Sequence, residues 1–239
     1  MSGARNPNLG IVNDSPPDFG AEAWRRNIGH AKIQLGLPRP AQWWTGLPPE
    51  LCAGFNAEGK LHALSPPNLS SCTRQEVLAY FNNGWTLTEL LFSSLIGDEP
   101  FYRPPYHGLR HPLIFYYVHP AVLYINKLRV AGLVSAGINA CFESLFETGV
   151  DEMSWDDMSK NVIEWPTIDR AHDYRRQVYA TVLALIESHF DLADAHEPIR
   201  QDSPLWALFM GFEHERIHLE TSSVLIRELP IQLVAQPEH

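Results

Sequence analysis

Apolar positions fall into four long blocks, separated by stretches rich in proline, glycine and charge. In the first block Val77, Leu78, Phe81, Trp85, Leu91 and Phe92 roughly follow helical spacing. Thr73-Arg-Gln-Glu76 stands just ahead of them in the pattern of a capping box, so a helix is expected from Thr73 to before Gly97. Pro100, Pro104, Pro105 and Gly108 make residues 97–111 a loop. A second helix is expected from Pro112, whose ring suits a first helical position, to about Val130. It is apolar nearly all round. Pro120 inside it cannot donate to the carbonyl of Tyr116, which predicts a kink. Residues 131–170 form a long connection holding a short helical piece near Asn139–Phe146 and an acidic run from Asp151 to Asp157. A third helix is expected from Ile168 to His189. A fourth should open on Ser203 as cap and Pro204 at the first position, then run to about Leu229 before Pro230. There is little strand signal and no internal repeat. Four long helices with one long crossover predict an all-α four-helix bundle.

Residues 1–72 carry no such pattern. Seven prolines fall between Pro7 and Pro49, yet Trp43-Trp44-Thr45-Gly46 is too aromatic for a free tail. The expected organisation is an irregular proline-rich arm over 1–72 that packs on the bundle, with roughly its first 20 residues mobile. The bundle follows over 73–230, and a tail over 231–239.

Composition narrows the function classes. A chain of 239 residues, 45% apolar and 19% charged, has a globular composition, not a disordered one. Eighteen Lys and Arg against 28 Asp and Glu give a formal charge of −10, which repels phosphate backbones, so no nucleic-acid partner is expected. Apolar runs are too broken to span a bilayer, and residues 1–20 lack the apolar stretch of a secretory signal. Cys52, Cys72 and Cys141 are odd in number and outside any CxxC, which reads as reduced thiols in the cytoplasm. The unusual residue is histidine, with eleven copies.

Two histidine pairs have i,i+4 spacing. His107 and His111 lie among prolines and glycine and read first as a polar loop, with substrate contact or ligation as the alternative. His214 and His218 lie within the fourth helix, where that spacing puts them about 40° apart on one face with Cβ atoms about 6 Å apart. Two imidazoles so placed can share one ion, and Ala207 and Gly211 on the same stripe leave room beside them. Two hydrogen-bonded core histidines would give the same pattern. A third ligand must come from another helix, and His119, in the most apolar helix and next to Pro120, is the best candidate. His172 and His189 share a helix with many charged residues and are expected to face solvent, as are His30, His62, His196 and His239. Three neutral imidazoles suit Zn²⁺, Fe²⁺ or Ni²⁺ alike. His214-Glu-Arg-Ile-His218 also satisfies the zincin string HExxH, a reading that needs Glu215 beside the metal-bound water.

Longer strings carry a resemblance. Cys72-Thr-Arg-Gln75, Tyr80-Phe-Asn-Asn-Gly-Trp-Thr-Leu-Thr-Glu89, Phe101-Tyr-Arg-Pro-Pro-Tyr-His107 and His111-Pro-Leu-Ile-Phe-Tyr-Tyr-Val-His-Pro120 resemble the N-terminal region of ovothiol-biosynthesis 5-histidylcysteine sulfoxide synthases. So do Phe142-Glu-Ser-Leu-Phe-Glu-Thr-Gly-Val-Asp-Glu-Met-Ser-Trp-Asp-Asp-Met158 and Phe209-Met-Gly-Phe-Glu-His-Glu-Arg-Ile-His-Leu-Glu-Thr221. The likeness runs from about Pro40 to the C-terminus, and extends more distantly to the ergothioneine sulfoxide synthases. It implies a DinB-like four-helix bundle. It also implies that an HxxxHxE string, here His214, His218 and Glu220, joins one earlier histidine, here His119, around a mononuclear non-haem iron. The two histidines of the string would be ligands and Glu220 would not. The implied cofactor is Fe(II), and the implied reaction joins L-cysteine to the C5 carbon of L-histidine with O₂. In that family a domain resembling formylglycine-generating enzymes follows the bundle and carries much of the substrate pocket. The chain ends at His239, so this domain is expected in cis beyond it or from a partner, with the bundle inactive alone. The alternative is a stand-alone DinB-type metal-binding module or thiol transferase.

Overall fold

The computed structural model describes residues 43–107, 110–147 and 164–239. They form the helices α1 (Arg74–Phe92), α2 (Glu99–Tyr102), α3 (Leu113–Val130), α4 (Ala140–Leu145), α5 (Ile168–Ser188) and α6 (Trp206–Arg227). Among the described residues there is no sheet, only isolated bridges such as Leu95 with Val234. The described residues are therefore all-α. No described helix is long and apolar enough to cross a membrane.

The predicted helix starts are met in two ways. At α1 the capping box forms: the Glu76 N–H donates to Thr73 Oγ1, and the Thr73 N–H donates to the Glu76 carboxylate at 2.7 Å. At α4, Asn139 accepts from the backbone N–H groups of Cys141 and Phe142. At α6 the expected cap is replaced. Ser203 contributes its carbonyl, not its hydroxyl, and the Trp206, Ala207 and Leu208 N–H groups bond three residues back. This tight 3₁₀-type turn delays the regular helix to Trp206. Pro112 likewise stands one residue before α3 rather than inside it, and α3 runs unbroken past Pro120. Part of the expected loop, Glu99–Tyr102, is helical. The acidic run 151–157 and residues 1–20 lie outside the described residues.

The four long helices pack as a ring, with α1 against α5 and α6, and α3 against the same two. Helix α3 is the most enclosed, with every residue from Leu113 to Val122 buried. The end of the arm closes one side of the core. Trp43 is buried, stacks on Tyr117 at 5.8 Å and donates its indole N–H to the Glu89 carbonyl at 3.0 Å. Gly46 passes so close to Trp85 and Tyr179 that a Cβ there would sit 2.7 Å from the Tyr179 ring.

The bundle axis is charged. Arg175 of α5 is fully buried, stacked over the Trp85 ring at 4.0 Å. It donates to the Tyr117 carbonyl of α3 at 2.8 Å and to Glu215 of α6 at 3.5 Å, and its Nε lies 3.6 Å from Glu89 of α1. One guanidinium thus reaches all the other long helices. Burial pushes the Glu89 carboxyl above its usual range, with Arg175 opposing. The Thr45 N–H and hydroxyl also bond this carboxyl, joining the arm to the cluster.

Candidate metal centre

His119 projects from the middle of α3, and His214 and His218 from one face of α6, two helices packed against each other. Their side chains converge. His119 Nε2 lies 3.3 Å from His214 Nε2, which lies 3.1 Å from His218 Nε2. Among the described residues these three form the group able to hold a metal ion, with ligand atoms all within 4.8 Å of one another.

The spacing fits an ion. With metal–nitrogen bonds of about 2.1 Å, two imidazoles stand about 3.0 Å apart at octahedral angles and about 3.4 Å apart at tetrahedral ones. Two of the three edges, 3.1 and 3.3 Å, lie between these values, and the third is within 4.8 Å. Protonation fits as well. Burial lowers His119, and it lowers His214 to about 4 and His218 to about 3, with the neighbouring imidazoles adding to both. Near neutral pH all three rings offer lone pairs. The positive charges of Lys127, toward His214, and Arg110, toward His218, act in the same direction.

His119 is held from behind. Its Nδ1–H donates to the Phe146 carbonyl at the end of α4, 2.6 Å away, which fixes the tautomer and turns the Nε2 lone pair toward α6. Its ring stacks on Phe115 at 4.9 Å, and Phe115 is covered in turn by His111 at 4.3 Å. Phe146 and Trp165 complete an apolar wall around Phe115. The Nδ1 atoms of His214 and His218 are buried and have no hydrogen-bond partner among the described residues.

The remaining histidines divide. His107 is exposed, as a polar loop predicts, but His111 is buried and belongs to the stack behind His119. His172 is a correction: it is 3% exposed, edge-on to Trp43 at 4.7 Å, because its face of α5 receives the arm. His189 caps a short 3₁₀ turn and is half-buried, as are His196, bonded to the Cys72 carbonyl, and His239. His62 is exposed, and His30 lies outside the described residues.

The zincin reading fails on geometry. Glu215 is 1% exposed and points to the bundle axis, where it accepts from the Tyr124 hydroxyl at 3.1 Å and from Arg175. It cannot also act on a water held by the histidines. Gly211 does not make room for the imidazoles either. The Tyr124 ring occupies that space, with Cε1 2.5 Å from where a Cβ would stand. The sequence does not show this support: Arg175 lies among charged residues that read as a solvent face, Glu215 enters only through the zincin string, and Phe115 is one apolar residue among many. The i,i+4,i+8 series His111, Phe115, His119 was the available signal.

The profile of the DinB superfamily matches residues 73–222, which include α1 to α5, most of α6 and all three converging histidines. A search of curated proteins found none similar to the chain.

Proposed function

The chain belongs to the DinB superfamily, and from that premise we propose that it is the iron-binding helical part of a sulfoxide synthase of ovothiol biosynthesis. The observation that carries the reading is the convergence of His119, His214 and His218, drawn from two of the strings that resemble those enzymes. The proposed reaction joins the cysteine sulfur to C5 of histidine and oxidises that sulfur. The thiol hydrogen and the C5 hydrogen leave with one oxygen atom as water. The other oxygen atom stays on sulfur, and O₂ is the four-electron oxidant.

Fe(II) at the three Nε2 atoms would supply O₂ activation and a seat for the cysteine thiolate, since three neutral ligands leave its charge and part of its coordination sphere free. The chain's own contribution is orientation and shelter. The Phe146 carbonyl keeps the proton of His119 on Nδ1. Phe115, Phe146 and Trp165 keep the α3 side of the centre apolar, where charge interactions are stronger than in water. Coupling two amino acids requires both to be held beside the ion, so the domain that follows the bundle in the resembling enzymes is part of the proposal.

The test is an aerobic assay of the Fe(II)-loaded chain with L-cysteine and L-histidine, read by mass spectrometry, with and without such a domain added in trans. The reading expects the 5-histidylcysteine sulfoxide when the domain is present and little without it. Oxidised cysteine alone in both arms would overturn it and favour a thiol-handling DinB module.

A further inference from the structure

Helices α3 and α6 carry the converging histidines, and nothing covalent fixes their separation. Two buried polar contacts join them next to those histidines. The Tyr124 hydroxyl of α3 donates to Glu215 Oε2 at 3.1 Å, one residue from His214. Arg175 of α5 donates to the Tyr117 carbonyl, two residues before His119, at 2.8 Å, and to Glu215 Oε1 at 3.5 Å. Arg175 is fully buried, Glu215 is 1% exposed and Tyr124 is 1% exposed. The Tyr124 ring meanwhile lies on Gly211, a full turn before Glu215 on α6. On the other side of Arg175, Glu89 is held by the Thr45 N–H at 2.9 Å and lies 3.6 Å from the guanidinium Nε.

We infer that Tyr124, Arg175 and Glu215 are positioning residues of the metal centre: together they set the separation and rotation of α3 and α6, and with them the angle between His119 and the His214–His218 pair. The inference rests on the metal reading above. Its physical basis is directional. Apolar packing between two helices tolerates small slides and rotations, whereas buried hydrogen bonds to a charged carboxylate do so only at the cost of an unpaired group. A slide of α3 against α6 would shift His119 Nε2, now 3.3 Å from His214 Nε2, relative to the pair with which it would share an ion. The same contacts explain why a glutamate next to a ligating histidine does no chemistry here. It is committed to the helix pair.

The experiment titrates the metal-free full chain with Co(II) and records the visible absorption spectrum, which reports coordination geometry, alongside thermal unfolding. Tyr124→Phe removes the hydroxyl and keeps the ring on Gly211. Glu215→Gln keeps the shape and removes the charge. Ile186→Val, in the α5 core away from the histidines, serves as a stability control. The inference expects Tyr124→Phe and Glu215→Gln to stay folded, bind Co(II) about tenfold more weakly and show an altered spectrum, as outer-shell changes at metal sites do. The control should lose stability and keep the wild-type spectrum and affinity. Wild-type Co(II) affinity and spectrum in both test variants, whatever their melting temperatures, would overturn the clamp alone. Absence of Co(II) binding by the wild type would overturn the metal reading and the clamp with it.

Discussion

His119 Nε2 and His214 Nε2 lie 3.3 Å apart across the α3–α6 contact, although 95 residues of chain separate them. Neutral imidazoles meet at that distance either through the N–H of one ring or around a shared cation. Burial lowers both groups from their ordinary value, so the rings are neutral and open to a metal near pH 7. The proposed centre takes the second arrangement, and added metal should raise the melting temperature. A ligand at 100 times its dissociation constant adds about 2.7 kcal/mol. Thermal unfolding with and without Fe(II) or Co(II) reads this directly, and an unchanged midpoint would argue against a formed site.

The same burial predicts how the metal-free protein responds to acid. In the unfolded chain His214 and His218 titrate near 6.5, and in the fold near 4 and 3. Between those values the unfolded state binds protons that the folded state refuses, so stability rises with pH across the window and is lost as pH falls below 6.5. One such group contributes on the order of 2 kcal/mol of loss at pH 5. Urea denaturation at pH 7 and pH 5 should show a steeper loss for the wild type than for His214→Gln with His218→Gln. Equal slopes would mean that the rings are solvated in the fold.

Gly211→Ala should destabilise the bundle by about 1–3 kcal/mol, the usual cost of forcing extra volume into a packed core. The new methyl would stand 2.5 Å from Tyr124, whose ring is pinned by its bond to Glu215. Chemical denaturation measures the cost. A neutral or stabilising outcome, as expected for Gly→Ala in an open helix, would mean that α3 and α6 are packed less tightly than described.

The helical layout was legible because it rests on local signals. Thr73 with Glu76 marks the start of α1, Asn139 caps α4, and the apolar run of α3 has no other use than a core. The pair His214/His218 was legible for the same reason, being one helical turn. What was not legible depends on partners distant in sequence. Arg175 and His172 sit among Asp169, Asp173 and Arg176 and read as a solvent face, yet both are buried. The burial of Arg175 makes sense only once Glu89 and Glu215 arrive from α1 and α6. The side of Gly211 could not be read either, since Tyr124 and an imidazole both fit beside a missing Cβ. Near α6 the Ser203-Pro204 signal was real but operated through carbonyls in a tight turn, which shifted the helix start by two residues.

The arm should prove part of the fold. Trp43→Ala removes a buried indole that stacks on Tyr117, meets His172 and bonds the Glu89 carbonyl. The expected loss is about 3–5 kcal/mol. Chemical denaturation of the full chain measures it, and a loss below about 1 kcal/mol would show that the arm is not docked.

Metal content after anaerobic reconstitution tests the central claim most directly. The chain is loaded with Fe(II), desalted and analysed for iron per polypeptide, beside His119→Ala, the double variant His214→Ala with His218→Ala, and His107→Ala as an exposed control. The account predicts about one iron in the wild type and in His107→Ala, a large loss in His119→Ala and none in the double variant. Wild-type iron in the double variant, or iron lost with His107 but kept without His119, would contradict it.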